Sequence, residues 1–178
     1  MGQPPDPQLT KRPDHTDGGS AHQTASDVSA TDLAMMERAI ALAAQAARRA
    51  EVPVGAVVYK GDRIIAEAAN NREAAQDPVG HAELLAMSKA GKALGNWRLT
   101  DCTLAVTLEP CPMCAGAMVN ARLGRVIYGA DDPKAGACRT LFRIPTDERL
   151  NHRVRVISGV LADQCQKQLR EFFGRRRS

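Results

Sequence analysis

No stretch of this 178-residue chain approaches the roughly 20 consecutive apolar residues that a membrane-spanning helix needs, which excludes such a helix. No secretory leader is expected either. Asp6, Asp14, Asp17 and Asp27 are spread through the first thirty residues, with no apolar core between them. The five cysteines are an odd set that matches no disulfide framework, so a reducing cytoplasm is the expected compartment. No internal repeat is apparent. What remains is an ordinary globular composition, 44% hydrophobic, on a chain long enough for one domain with a sizeable core.

The net charge, +4, is mild but uneven. Residues 1–30 carry two bases (Lys11, Arg12) against four acids, which leaves +6 on residues 31–178. At the end of the chain Lys167, Arg170, Arg175, Arg176 and Arg177 face only Glu171. Such a terminus suits phosphates, and equally suits a solvated tail. Residues 1–30 are rich in Pro, Gly, Ser, Thr and Asp and have few large aliphatics. They cannot bury enough apolar surface to offset their ordering entropy, so we expect a disordered extension at 1–30 and a folded domain at 31–178.

Helical periodicity begins at Thr31 or Asp32, either of which suits an N-cap, with Leu33, Met36, Ile40 and Ala47 near one face. The pattern ends at Glu51-Val52-Pro53. Val54–Tyr59 and Arg63–Ala69 read as a hairpin around Lys60-Gly61-Asp62. Gly55 inside the first strand signals a bulge or a close approach, for instance by a purine. A polar loop over 70–80 leads to a helix with Leu84, Leu85, Met87 and Leu94 as core residues. A strand within 99–108, a helix after Pro112, strands at 125–129 and 154–157 and a closing helix over 161–173 complete an α/β sandwich around one sheet. In the last helix Leu161, Cys165 and Leu169 form a stripe, and the adjacent Phe172 and Phe173 must point apart.

Two short stretches about thirty residues apart carry the chemistry: His81-Ala82-Glu83 and Pro110-Cys111-Pro112-Met113-Cys114. One imidazole and two thiolates supply three ligands suited to tetrahedral zinc, which leaves a fourth position for water. Glu83 is spare, and a carboxylate beside such a water can carry its proton. Cys102, Cys138, Cys165, His15, His22 and His152 have no ligand-like spacing to this set, so a closed four-ligand structural site is disfavoured. A redox Cys-x-x-Cys would leave His81 and Glu83 unexplained. His-x-Glu followed by Pro-Cys-x-x-Cys is the pattern of zinc nucleobase deaminases.

From about Met36 onward the chain resembles the bacterial tRNA-specific adenosine deaminases of the TadA type, within the cytidine-deaminase-like superfamily. The likeness is carried by Glu51-Val52-Pro53-Val54-Gly55-Ala56, by His81-Ala82-Glu83 and by Val106 to Met118. Asn151-His152-Arg153-Val154, Gly159-Val160-Leu161-Ala162 and Phe172-Phe173 also carry it. The resemblance implies a three-layer α/β/α sandwich around a five-stranded mixed sheet. It implies one Zn2+ per subunit on His81, Cys111 and Cys114, with Glu83 as catalytic proton carrier. The implied reaction is deamination of the wobble adenosine to inosine in the anticodon loop of an arginine tRNA, by a homodimer with no membrane association. It further implies that Asn70 contacts the purine and that Val54, Ala56 and Leu108 wall the pocket. Asp132 and Lys134 would lie near neighbouring nucleotides, and Phe173 at the mouth of the site. Two positions depart from the usual pattern: Gly80, where a small alanine is common, and Cys138-Arg139, where small residues are. The rival readings are a deaminase of free nucleobases and a non-catalytic RNA-binding subunit, the second disfavoured by the presence of Glu83.

Overall fold

The computed structural model describes residues 27–176. The extension expected at 1–30 lies mostly outside the described residues, as does Arg177. The first helix, α1 (Ala30–Arg48), starts before both Thr31 and Asp32 because Ser29 caps it. The Ser29 hydroxyl accepts from the Asp32 N–H at 3.1 Å and the Asp32 carboxylate accepts from the Ser29 N–H at 2.8 Å. Thr31 and Asp32 are therefore inside the helix, and Asp32 closes a capping box.

Five strands follow: β1 (Gly55–Lys60), β2 (Arg63–Ala69), β3 (Thr103–Leu108), β4 (Arg125–Ala130) and β5 (Arg155–Ile157). They form one sheet in the order β2-β1-β3-β4-β5. β1 is antiparallel to β2 and β3, whereas β3, β4 and β5 run parallel. Helices α2 (Ala82–Leu94) and α3 (Pro112–Asn120) contribute to the apolar cluster on one face of the sheet, with Val58, Leu104, Val106 and Tyr128. Helices α1 and α4 (Ala162–Arg175) contribute to the cluster on the other, with Val57, Tyr59, Ala105 and Ile127. This is the expected three-layer sandwich around a mixed five-stranded sheet.

Small residues set the spacing between layers. On α1 the buried stripe is Met35, Met36, Ala39, Leu42, Ala43 and Ala46, with Ile40 partly buried against it; of the expected face, Met36 meets the core and Leu33 is exposed. A Cβ on Gly55 would overlap the Ala39 carbonyl oxygen and lie 2.7 Å from the Ala43 nitrogen. Gly55 is thus neither a bulge nor a purine platform: it lets α1 lie directly on β1. The same holds on α2, where Ala82, Ala86, Met87 and Ala90 are buried and Leu84, Leu85 and Leu94 are only partly so. Behind the sheet, the buried Asp32 carboxylate takes two hydrogen bonds from Arg125, at 2.9 and 2.7 Å, and one from the Tyr59 hydroxyl. That network ties the start of α1 to β4 and β1.

Candidate active site

Two helix starts meet at the end of the sheet. β2 leads through the 70–80 loop to His81, the N-cap of α2, and β3 runs through Glu109-Pro110 to Cys111, the N-cap of α3. Both caps have extended backbone and neither side chain makes a capping hydrogen bond, and the two meet in the gap between the helices. Pro112 occupies the first turn of α3, where its missing N–H costs nothing. His81 Nδ1 lies 3.7 Å from Cys111 Sγ and 3.6 Å from Cys114 Sγ, and the three ligand atoms are all within 4.8 Å of one another. A tetrahedral zinc with ordinary Zn–N and Zn–S bonds separates its nitrogen and sulfur ligands by about 3.6 Å. The residues present therefore fit a metal ion.

Electrostatics points the same way. Cys111 is held as a thiolate, its pKa pulled down to about 4 chiefly by the hydrogen bond from Cys114 and further by His81. Cys114 is pushed far up, first by that same partnership, then by burial and the nearby Glu83. The two sulfurs thus share one proton, and a cation would displace it. The His81 pKa is raised, foremost by its bond to Cys111. Glu83, one residue into α2, is buried, and desolvation raises its pKa against the counter-effects of its own backbone N–H and of His81. A carboxyl whose proton affinity is raised, beside a metal-capable cluster, is suited to exchanging protons near neutral pH.

His81, Glu83 and Cys111 form the floor of a cavity of about 250 Å³, and the buried Cys114 completes their cluster without lining it. Of the expected contact residues, Asn70, Val54, Leu108 and Asp132 line it, together with Glu51, Val52, Arg72, Glu73, Glu109 and Ala135. Ala56 is fully buried in the sheet core, and Lys134 is exposed on the adjacent loop, its N–H bonded to Asp132 Oδ1 at 2.9 Å. Phe172 packs inward while Phe173 is 43% exposed and meets it edge to face at 5.3 Å. Arg176 stacks over Phe172 at 4.7 Å and donates to the Ala50 carbonyl at 2.9 Å. It is held against the body of the protein rather than left as a loose cation.

Sequence reading gave no role to two buried acids at the cavity wall. Glu51 Oε1 accepts from the Ala74 N–H at 2.7 Å, and Oε2 from the Arg72 N–H at 3.1 Å and Asn70 Nδ2 at 3.4 Å. Glu109 Oε1 accepts from the N–H groups of Cys138, Arg139 and Thr140 at 3.1, 2.8 and 2.9 Å. Its Oε2 accepts from the Asp132 N–H at 3.0 Å and from the Thr140 hydroxyl. The available signal was an acid one or two residues before a proline near the end of a buried strand, where a charge must find partners. The departure at Cys138-Arg139 is absorbed here, because Glu109 holds their backbone and not their side chains. At Gly80 a Cβ would come within 3.0 Å of the Asn71 carbonyl oxygen, so an alanine there would require the loop to give by a few tenths of an ångström.

Fold and site together define a deaminase, and a MafB19-like deaminase family model matches residues 30–177. The tRNA-specific adenosine deaminase of Bacillus subtilis (strain 168) is 49% identical over 142 residues, covering 80% of this chain and 88% of that protein. The protein of that name from Streptococcus pyogenes serotype M18 is 46% identical over 138 residues, 78% of this chain and 87% of its own. A solved structure from work on A-to-I editing by tRNA:A34 deaminases at the wobble position of transfer RNA superposes with a TM-score of 0.74. It is 40% identical, and the match covers 76% of this chain and 99% of that one. The chain belongs to the family of tRNA-specific adenosine deaminases.

Proposed function

We propose that this enzyme hydrolyses adenosine to inosine at the wobble position of an arginine tRNA, with one Zn2+ held by His81, Cys111 and Cys114. The observation that carries the reading is Glu83, a buried carboxyl with raised proton affinity set beside the three ligand atoms in a base-sized cavity. Zinc, when bound there, supplies Lewis acidity that lowers the pKa of water towards neutrality. Glu83 accepts the proton of the attacking water and delivers it to N1 of the adenine. As the C6–amine bond breaks, Glu83 carries a second proton to the leaving nitrogen, so that adenosine and water become inosine and ammonia. Asn70 is placed to hydrogen-bond the purine, Val54 and Leu108 to flank it, and Asp132 to meet its neighbours. Ala56 supports Val54 from the strand core. Lys134 and Phe173 belong to the surface outside the cavity, where a flanking nucleotide would pass. An unpaired anticodon loop lets the base leave its stack at little cost.

A cytoplasmic homodimer is part of the same reading. It is supported by the apolar groove between α2 and α3, with Leu84, Met87 and the 55% exposed Trp97, a face suited to a second copy. Among the described residues no helix is long and apolar enough to cross a membrane. The test is incubation of the metal-loaded protein with arginine tRNA and with free adenine, guanine and cytosine. Inosine at the wobble position is expected. Turnover confined to free bases would overturn the proposal, and metal analysis and sedimentation check the zinc and the dimer.

A further inference from the structure

The cavity has two walls made of loop, and each is fastened by one buried carboxylate that ligates nothing in the metal-capable cluster. Residues 70–74 are held by Glu51 through Asn70 Nδ2 and the N–H groups of Arg72 and Ala74. Residues 132–140 are held by Glu109 through four N–H groups and the Thr140 hydroxyl. A carboxylate offers about four lone-pair sites, so the five donors around Glu109 saturate it. The fit leaves no spare room. A Cβ on Gly136 would overlap Glu109 Oε2 and come within 2.6 Å of the Asp132 carbonyl oxygen. Backbone donors that converge on a buried anion hold a loop more firmly than neutral turn bonds would, because charge-assisted bonds are about twice as strong.

What these anions fix is also informative. Asn70 and Asp132 line the cavity, and each is bonded directly to one of the two glutamates, Asn70 through its amide and Asp132 through its N–H. Glu83, His81, Cys111 and Cys114 are bonded to neither among the described residues, and are set by helix starts instead. We propose that Glu51 and Glu109 are positioning residues, which hold Asn70 and Asp132 in register with the target base and its neighbours while the proton chemistry at Glu83 proceeds independently of them. This rests on the function proposed above.

The test uses Glu51→Gln and Glu109→Gln, which keep shape but turn an amide N–H2 towards backbone donors. The metal-loaded proteins are compared with the parent on an arginine-tRNA anticodon stem-loop. We expect KM to rise about tenfold or more, kcat to stay within about threefold, and metal content to be unchanged. Glu109→Gln should also speed amide hydrogen exchange at 132–140 and Glu51→Gln at 70–74, each without loosening the other loop. Thr140→Val removes a single donor and gives a milder form of the Glu109→Gln result in a protein little altered in stability, so it answers if Glu109→Gln does not fold. A fall in kcat at unchanged KM, loss of metal, or unchanged exchange in both loops would overturn the inference. If the parent itself leaves the RNA untouched, the functional proposal fails, and loop-specific exchange alone then decides whether these acids hold the walls.

Discussion

The floor and the walls of the cavity are built by different means. His81, Glu83, Cys111 and Cys114 sit on the first turns of α2 and α3, where short-range helix geometry fixes three or four residues at once. Asn70, Arg72, Asp132 and Ala135 sit on loops whose shape depends on carboxylates about 20 to 30 residues away in sequence. Reacting groups need placement to within a fraction of an ångström, which helices anchored on a sheet provide. Groups that meet a variable substrate sit on loops, where change is tolerated as long as the fastening survives. Breaking the floor should therefore abolish the reaction, and breaking the walls should degrade recognition.

The largest effect is expected from Cys114→Ala. The side chain is fully buried, and its loss removes a ligand as well as part of the helix start, so metal, activity and thermal stability should fall together. A fully metallated variant of parental stability would mean that the floor is assembled from other atoms. Glu83→Ala comes next and should separate the terms. Metal content and affinity for the anticodon stem-loop should stay near the parent, while turnover drops by roughly 10³-fold, within the range for a lost general acid–base. Stopped chemistry with intact binding would make the division between floor and walls sharp.

How much of this was legible in the sequence follows the same division. The floor was, because ligand spacing in His-x-Glu and Cys-x-x-Cys is a local property that a helix start converts directly into geometry. The strands and the two-sided helical cover were legible from alternation and apolar runs. The buried face of α1 was legible only in part: Met36 is fully buried and Ile40 packs against the core, but Leu33 is exposed, because Gly55 admits the helix so closely that Ala39 and Ala43 make the contact. Nor were Glu51 and Glu109 legible, since a glutamate that collects backbone N–H groups from a distant loop leaves no periodic trace. Ser29 is hard to read as a cap from sequence, because the Asp at the third helical position closes its box, where Glu is the commoner signal.

Acid should strain the walls and the body by the same physics. Burial would raise the pKa of Glu109, yet the Thr140 hydroxyl and the N–H groups of Thr140, Asp132 and Arg139 outweigh it and hold the value low. Asp32 behaves alike, with burial overcome by Arg125, Tyr59 and Ser29. Both carboxyls bind protons less readily folded than unfolded. Their contribution is therefore full above the unfolded range, near pH ~4, and is lost as pH falls through the folded values. Denaturation midpoints should be level around neutrality and decline in acid. Asp32→Asn leaves Arg125 without its buried partner and should cost about 3 kcal/mol even at pH 7. Glu109→Gln should lower the midpoint less, since it frees a wall and leaves the core packed. Equal losses would show that the wall is part of the body.

A smaller change is expected at the outer edge. Phe173 is half-exposed on Phe172, so Phe173→Ala should leave the melting temperature nearly unchanged. If its free face stacks on a nucleotide, affinity for the anticodon stem-loop falls by about 1–3 kcal/mol, without loss of metal. Unchanged affinity would confine recognition to the cavity walls.

The smallest effect should come from removing residues 1–26. This segment carries no large apolar cluster. The boundary matters, because Asp27 and Ser29 both carry structure. The Asp27 carbonyl accepts from Arg125 at 3.2 Å, its carboxylate pairs with Arg155 at 3.1 Å, and Ser29 caps α1. A chain starting at Asp27 should turn over tRNA within about threefold of the full chain, a difference under ~1 kcal/mol in the barrier. Starting instead at Ala30 removes the cap and both Asp27 contacts, and should lower stability by at least the ~1 kcal/mol of a lost N-cap. Because α1 packs on β1 behind the cavity, that loss should appear in the melting temperature while KM and metal content hold. A large fall in activity for the chain that begins at Asp27, at full metal content, would instead mean that the extension meets the RNA and forms a third wall.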